Sequence, residues 1–159
     1  HALPGNLLQR SLLPVMIYRL TNEAVLHVPQ IRDFLLRVMA DHQFPQPVET
    51  LAYVAKEMSN PGCMILLGLE NDQPVAACMA MLPGNPIMLH PQVLAAYNEG
   101  SRPLGLEMQK IITAWVKAAG HKKIIGFNRS GLDDKLWCRI FRPGGKPTRL
   151  GSMYEFEVD

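Results

Sequence analysis

Residues 93–108 read VLAAYNEGSRPLGLEM, and this stretch decides the fold class. The apolar start at 93–97 is typical of a β-strand, and 98–101 has the composition of a turn. A helix is predicted over 103–119, because its apolar residues recur at three- and four-residue steps and so share one face. They are Leu104, Met108, Ile111, Ile112, Trp115, Val116 and Ala119. A strand that turns directly into an amphipathic helix predicts a sheet with a helix packed on it.

The rest of the chain also alternates between the two periods. The other predicted elements are a strand at 16–21, helices at 28–39 and 48–58, strands at 63–69 and 75–82, a strand at 123–127, a short helix at 132–141 and a last strand at 152–158. The order β-α-α-β-β-β-α-β-α-β predicts an α+β (α/β-like) fold, a mixed sheet covered by helices.

Length and composition predict a single packed domain. The 159 residues are 48% hydrophobic and 19% charged, which is typical of a globular chain. We assign 16–159 to one domain and interpret 1–15 as a leader or flexible arm outside the fold. This first stretch is a poor signal peptide, because it has one basic residue, two internal prolines and no small-residue cleavage site.

Charge and cysteine usage exclude several classes of partner. Sixteen basic residues against fourteen acidic ones give a net charge of +2, so we expect no nucleic-acid partner recognised by charge. No apolar stretch approaches the roughly 18 residues that a membrane-spanning helix needs, so we expect no membrane partner. The three cysteines, Cys63, Cys78 and Cys138, have no Cys-x-x-Cys spacing. We therefore expect no disulfide scaffold, no structural zinc and a cytoplasmic location.

The start of the helix at 103–119 is the first candidate binding site. A helix N-terminus has unpaired N–H groups and a partial positive charge, which attract phosphate. Arg102 adds a full positive charge, Pro103 suits the first turn, and Gly105 would let a ligand approach the backbone. The alternative is a plain strand–turn–helix in which Gly105 only eases packing.

Arg102-x-x-Gly105-x-Glu107 resembles the Arg/Gln-x-x-Gly-x-Gly/Ala signature of the GNAT (GCN5-related N-acetyltransferase) superfamily. The order of elements over about 16–158 is similar to that family too. The resemblance implies a mixed, mostly antiparallel sheet with helices on both faces, whose fourth and fifth strands, here 93–97 and 123–127, splay apart. In the family, the pantetheine arm of acetyl-CoA lies in that splay and its pyrophosphate lies on the signature turn.

The resemblance also implies a set of cosubstrate-binding residues. They are Ala95, Ala96 and Tyr97 for the pantetheine, Arg102, Leu104, Gly105, Leu106, Glu107 and Met108 for the pyrophosphate, and Asn128 and Ser130 at the open end of the partner strand. Two residues near the strand at 93–97 are candidate catalytic bases: His90, which precedes it, and Glu99, which follows it. Either would deprotonate the acceptor amine through a water molecule. The alternatives are that His90 is an ordinary loop histidine and that Glu99 is a solvated carboxylate in the turn.

The function implied by the resemblance is an acyl-CoA (acetyl-CoA) dependent N-acyltransferase, in which an amine attacks the thioester directly. The acceptor would be an amine-bearing small molecule or a protein.

The alternative is a GNAT-fold protein with little or no catalysis that binds another protein. Glu107 stands where the signature usually has a small residue, and a carboxylate there would face the phosphate unless it turns away. Phe141 or Ile140 stands where family members often carry a proton-donating Tyr. The stretch WCRIFRPGGK at 137–146 also resembles small GNAT-like proteins of tailed phages.

Four scattered histidines complete the candidates. His27, His42, His90 and His121 have no metal-ligand spacing, so we expect no metal site. Each of them is predicted to lie on the surface or in a loop.

Overall fold

The fold is described here from a computed structural model, which covers residues 5–10, 15–84, 90–127, 133, 135, 147–151 and 156–158. The elements in these ranges are, in chain order, β1 (Gly5–Arg10), β2 (Val15–Leu20), α1 (Asn22–His27), α2 (Pro29–Asp41), α3 (Pro47–Glu57), β3 (Cys63–Glu70), β4 (Gln73–Met81), β5 (Gln92–Asn98), α4 (Arg102–Ala118) and β6 (Ile125–Gly126).

The strands form one six-stranded sheet in the order β1-β2-β3-β4-β5-β6. Neighbouring strands are antiparallel except β5 and β6, which run parallel because α4 connects them. The sheet is therefore mixed and mostly antiparallel, as predicted.

Helices cover both faces of the sheet, which explains why its central strands are continuously apolar. On one face α1, α2 and α3 pack against the sheet, with Leu35, Val38 and Met39 of α2 fully buried. On the other face α4 contributes Leu104, Met108, Ile112 and Val116 to a second apolar cluster. The predicted α+β fold is confirmed.

One glycine brings the first turn of α4 close to the sheet. A Cβ atom on Gly68 of β3 would lie 3.0 Å from both terminal methyl groups of Leu104 and 3.1 Å from Cβ of Ala76. Leu104 is itself buried and belongs to that first turn. The bare backbone at Gly68 therefore fixes where α4 begins.

Two elements, β1 and α1, were not predicted from the sequence. Residues of β1, which lie in the segment set outside the fold, pair with β2 from Gly5–Leu20 to Arg10–Met16. Its sequence, GNLLQR, lacks the alternation that marks a strand, so only its partner identifies it. Helix α1 is short, and it begins where Thr21 Oγ1 accepts the N–H of Ala24 at 3.2 Å. The leader interpretation of 1–15 stays a prediction.

The C-terminal predictions are met only in part. The strand predicted at 123–127 is present as the two residues of β6. The helix predicted at 132–141 lies almost entirely outside the described residues. Of the strand predicted at 152–158, residues 156–158 are described and are not in a strand.

Candidate functional site

The open edge of β5 is the first feature of the site. In its register against β4, Leu94 is an extra residue without a partner, so β5 is bulged there. β6 pairs only with Gln92 and Val93, immediately before the bulge. A bulge bends its strand and increases the twist, so β5 turns away from β6 after Val93. On the side of β6, no strand in the described part of the chain pairs with β5 beyond Val93, and this is the edge where the splay is predicted.

The ladder with β4 decides which backbone groups of β5 face that splay. The N–H of Glu99 donates to the carbonyl oxygen of Val75 at 2.9 Å, so these two residues form a hydrogen-bonded pair. Hydrogen-bonded and non-hydrogen-bonded pairs alternate along an antiparallel ladder. Tyr97 and Ala95 therefore bond to β4, whereas the N–H and C=O of Ala96 point to the open side. Of the three predicted pantetheine contacts, Ala96 is the one with backbone groups available there.

A tight turn places the start of α4 directly after this edge. Asn98 Oδ1 accepts the N–H of Gly100 at 2.9 Å, and Asn98 Nδ2 donates to the carbonyl oxygen of Ser101 at 3.0 Å. Glu70 Oε1 accepts the N–H of Ser101 at 2.7 Å. A hydrogen bond from the Ser101 side chain, followed by that from its backbone N–H, lowers the pKa of Glu70. Side chains at the ends of two strands, Asn98 of β5 and Glu70 of β3, therefore both hold the turn in place.

The start of α4 keeps some features of an anion site, although the Glu70 carboxylate already accepts the N–H of Ser101. It contains no acidic residue, and the Ser101 side chain makes no capping hydrogen bond. Arg102 is exposed at this end. Only the first turn of a helix lacks internal partners for its N–H groups. Because Pro103 has no N–H and that of Ser101 is bound to Glu70, the available donors are the N–H groups of Arg102 and Leu104. Those of Leu106, Glu107 and Met108 lie deeper and bond within the helix.

Glu107 is turned away from the helix start. Its Oε1 lies 2.9 Å from Nζ of Lys110, one turn further along α4. The carboxylate therefore has a positive partner further along the helix, which reduces the repulsion that it would exert on a phosphate.

A contact within the chain accounts for a glycine at position 105. A Cβ atom at this position would lie 2.9 Å from Asn98 Nδ2, the same amide that holds the turn. A side chain at Gly105 would have to displace this amide, so the glycine serves the packing of the turn whether or not a ligand approaches it. A substitution at Gly105 would disturb both and cannot separate them.

Glu99 is engaged by two neighbours. Its Oε1 accepts from Arg37 Nη2 at 2.8 Å, and its Oε2 accepts from the Tyr97 hydroxyl at 2.9 Å. The hydrogen bond from Tyr97, followed by that from Arg37, lowers the pKa of Glu99, and the same bond raises the pKa of Tyr97. A lowered pKa makes a carboxylate a weaker base at neutral pH.

We expect Glu99→Gln to flatten the acid limb of the stability profile. A carboxyl group with a lowered folded-state pKa stabilises the protein above its ordinary value of 4.5, and this contribution disappears as the pH falls through the folded-state pKa. The loss at pH 7 should be below about 1 kcal/mol, because exposed ion pairs contribute little. Urea unfolding of wild type and variant from pH 7 to pH 3 measures it. A constant difference at every pH would contradict the assignment.

The two candidate bases lie at opposite ends of β5. His90 precedes the strand and Glu99 follows it, so the seven residues of β5, roughly 23 Å at about 3.3 Å each, lie between them. Glu99 lies at the end that leads into α4, and His90 at the end paired with β6. They cannot act on the same reacting atom. Asn128 and Ser130, the two remaining predicted residues, lie outside the described residues.

His42 is buried beside β5, whereas the sequence predicted it on the surface or in a loop. It is 4% exposed rather than on the surface. Its Nδ1 lies 2.8 Å from the carbonyl oxygen of Val38 and its Nε2 lies 3.1 Å from that of Ala96. The available signal was its position four residues after Val38, which continues the apolar stripe of α2 by one turn.

Buried thiols and metal ligands offer no second site in the described ranges. Cys63 and Cys78 are unpaired, and burial raises their pKa values to about 11 and about 12. No cluster of three or more His, Cys, Asp or Glu side chains there could hold a metal ion. Within the same residues, no helix combines the length and apolar character needed to cross a membrane.

Solved structures share this fold. A predicted acetyltransferase from Clostridium acetobutylicum, crystallised with acetyl-CoA, matches with a TM-score of 0.63 at 12% identity, over 90% of this chain and 96% of that one. An aminoglycoside 6'-N-acetyltransferase from Acinetobacter baumannii matches with a TM-score of 0.65 at 11% identity, over 92% and 99%. A GCN5-related N-acetyltransferase from Ralstonia eutropha matches with a TM-score of 0.62 at 13% identity, over 89% and 99%.

These comparisons establish the fold. No protein-family model matches the sequence, and neither does any curated protein. At such low identity a shared fold carries no residue roles with it. The chain has the fold of the GCN5-related N-acetyltransferases, and this fold alone does not define its activity.

Proposed function

We propose that this chain is an acyl-CoA-dependent N-acyltransferase that uses acetyl-CoA as cosubstrate and an amine as acceptor. One observation carries the proposal: the open edge of β5 at Ala96 leads directly into the positive end of α4. This juxtaposition occurs in a fold that the chain shares with acetyltransferases, one of them crystallised with acetyl-CoA.

The residues at this juncture fit the two parts of the cosubstrate. Ala96 offers one N–H donor and one carbonyl acceptor on the open side, which suits an arm that contains amide groups. Arg102 and the amides of the first turn suit a diphosphate. Since the diphosphate end belongs at α4, the arm would extend along β5 towards the bulge at Leu94. The acyl group would then lie nearer to His90 than to Glu99.

This placement assigns the catalytic roles. The cosubstrate supplies an activated thioester, and the chain orients it and polarises its carbonyl with backbone N–H groups next to the Leu94 bulge. We assign His90 as the base that deprotonates the acceptor amine through water, ahead of Glu99. The acceptor is proposed to be a primary amine of a small molecule or a protein, and aminoglycosides, named for one structural neighbour, are a first choice to test.

The proposed location is the cytoplasm. Cys63 and Cys78 are free thiols in the structure, and free thiols are typical of a reducing compartment.

Thiol release tests the proposed activity. Acetyl-CoA and a panel of amines, comprising aminoglycosides, polyamines and lysine peptides, are incubated with the protein, and free CoA is measured. The proposal predicts amine-dependent release that His90→Ala lowers about 10²-fold, the scale of a lost general base. If no amine in the panel caused CoA release and the wild-type protein also did not bind acetyl-CoA, the proposal would be contradicted.

Reversing the charge at the start of α4 should weaken acetyl-CoA binding at least about tenfold, or about 1.4 kcal/mol. In Arg102→Glu a carboxylate replaces the exposed guanidinium where the diphosphate is proposed to bind. Lys122→Glu is the control, because it makes the same change in charge beyond the far end of α4, roughly 25 Å away and more than a screening length. Calorimetric titration measures both. Equal losses in the two variants would mean a general charge effect and no diphosphate site.

The protein-binding alternative gains no support from the described residues. The concern over Glu107 is reduced by its pairing with Lys110. Phe141, Ile140 and the tail at 137–146 lie outside the described residues, so the phage resemblance stays a prediction.

A further inference from the structure

In its neutral form, His42 has one proton for two acceptors. A neutral imidazole carries a single N–H and presents a lone pair at its other nitrogen. The ring nitrogens face two backbone carbonyl oxygens, that of Val38 at 2.8 Å and that of Ala96 at 3.1 Å. In either tautomer one carbonyl receives a hydrogen bond and the other faces a lone pair.

The second donor at Val38 decides between the tautomers. The carbonyl oxygen of Val38 already accepts the backbone N–H of His42 at 3.1 Å, as part of the last turn of α2. The carbonyl of Ala96 points away from β4, and His42 is its donor in the described part of the chain. The single proton therefore satisfies an otherwise unpaired group when it is on Nε2. Without cosubstrate, Nε2–H is the favoured form.

The same carbonyl is the one that the proposed function gives to the pantetheine arm. We propose that His42 is a positioning residue that occupies the Ala96 carbonyl in the empty protein and releases it to the cosubstrate by changing tautomer. When an amide N–H of the arm takes the lone pair of the Ala96 oxygen that Nε2–H had occupied, the imidazole loses its proton from Nε2 and takes one up at Nδ1, directed at the second lone pair of the Val38 oxygen. Solvent takes up the first proton and supplies the second.

The surroundings of the ring hold it in place for this exchange. Tyr97 packs edge-on against His42, with ring centroids 6.5 Å apart. The Tyr97 hydroxyl and Arg37 are in turn both bound to Glu99, which fixes the position of the tyrosine ring. The imidazole can thus change its proton without changing its position.

Imidazole ¹⁵N shifts report the tautomer directly. The full-length protein, labelled at histidine, is measured with and without saturating acetyl-CoA. Protonated and unprotonated ring nitrogens differ widely in shift, so His42 should show Nε2 protonated in the free protein and Nδ1 protonated in the complex. The same tautomer in both states would overturn the inference.

Removing the donor gives an independent test. His42→Leu leaves the Ala96 carbonyl without its internal partner, so we expect a lower melting temperature together with acetyl-CoA binding at least about threefold tighter, a change on the scale of one modest hydrogen bond. His42→Gln keeps a side-chain N–H donor, and it should return the dissociation constant towards wild type. A merely structural His42 would predict weaker binding in His42→Leu, and that result would overturn the inference.

Val38→Ala is the matched control. It removes fully buried side-chain atoms from the same turn of α2 but keeps His42 and both carbonyls. It should lower the melting temperature with the dissociation constant unchanged, and tighter binding in this variant as well would overturn the inference. The inference rests on the proposed function. A wild-type chain that does not bind acetyl-CoA would overturn both, whereas binding that is indifferent to His42 would overturn the inference alone.

Discussion

Ala96→Pro is expected to weaken acetyl-CoA binding at least about tenfold while the protein stays folded. Proline removes the N–H of Ala96, which faces the open side of β5, and its ring fills space where the arm is proposed to lie. No bond to β4 is lost, because Ala96 forms a non-hydrogen-bonded pair with Cys78. Proline is tolerated in a strand where its nitrogen faces outward.

A proline at the preceding residue, Ala95, should instead lower the stability of the protein. Ala95→Pro removes an N–H that bonds to β4 beside Met79, in the buried middle of the sheet. We expect it to lower the free energy of unfolding by about 3 kcal/mol, since a ladder bond is lost and a buried carbonyl is left unpaired. Urea unfolding and calorimetric titration of both variants measure the two effects. If Ala96→Pro unfolded the protein and Ala95→Pro did not, the assigned alternation of β5 would be wrong.

Gly68→Val should lower the free energy of unfolding by about 1–3 kcal/mol through overpacking. The new side chain would need the space of the Leu104 methyl groups, and Leu104 is buried between α4 and the sheet. The high β-propensity of valine offsets only part of this cost. Because Leu104 belongs to the first turn of α4, we also expect weaker acetyl-CoA binding in the folded fraction.

Gly84→Val is the control for this substitution. A Cβ atom on Gly84 meets nothing within 4 Å, and the residue is exposed. Its stability should change by no more than about 0.5 kcal/mol. Chemical denaturation of both variants separates the two sites. A stable Gly68→Val protein would show that α4 can move away from the sheet at no cost.

Local pattern was sufficient for the elements that bury an apolar stripe or run. The stripe of α4 and the apolar runs of β3 and β4 are visible in the sequence because each element packs along its whole length. Strand β1 was missed because its pairing with β2 defines it. Helix α1 is only six residues long, too short to establish a period.

The site was predictable in place but not in detail. The resemblance indicated β5 and the start of α4, which is where the structure brings the candidate residues together. Which of Ala95, Ala96 and Tyr97 faces the splay depends on the register with β4 and on the bulge at Leu94, and neither has a local signature. The contact between His42 and Ala96 joins residues 54 positions apart. Only the folded chain shows it.

A crystal structure of the protein grown with acetyl-CoA tests the central claim most directly. The account predicts the pantetheine arm along the open edge of β5, with hydrogen bonds to the N–H and C=O of Ala96. It predicts the diphosphate at the first turn of α4 beside Arg102. Acetyl-CoA bound elsewhere on the protein, or a diphosphate that makes no contact with α4, would contradict it.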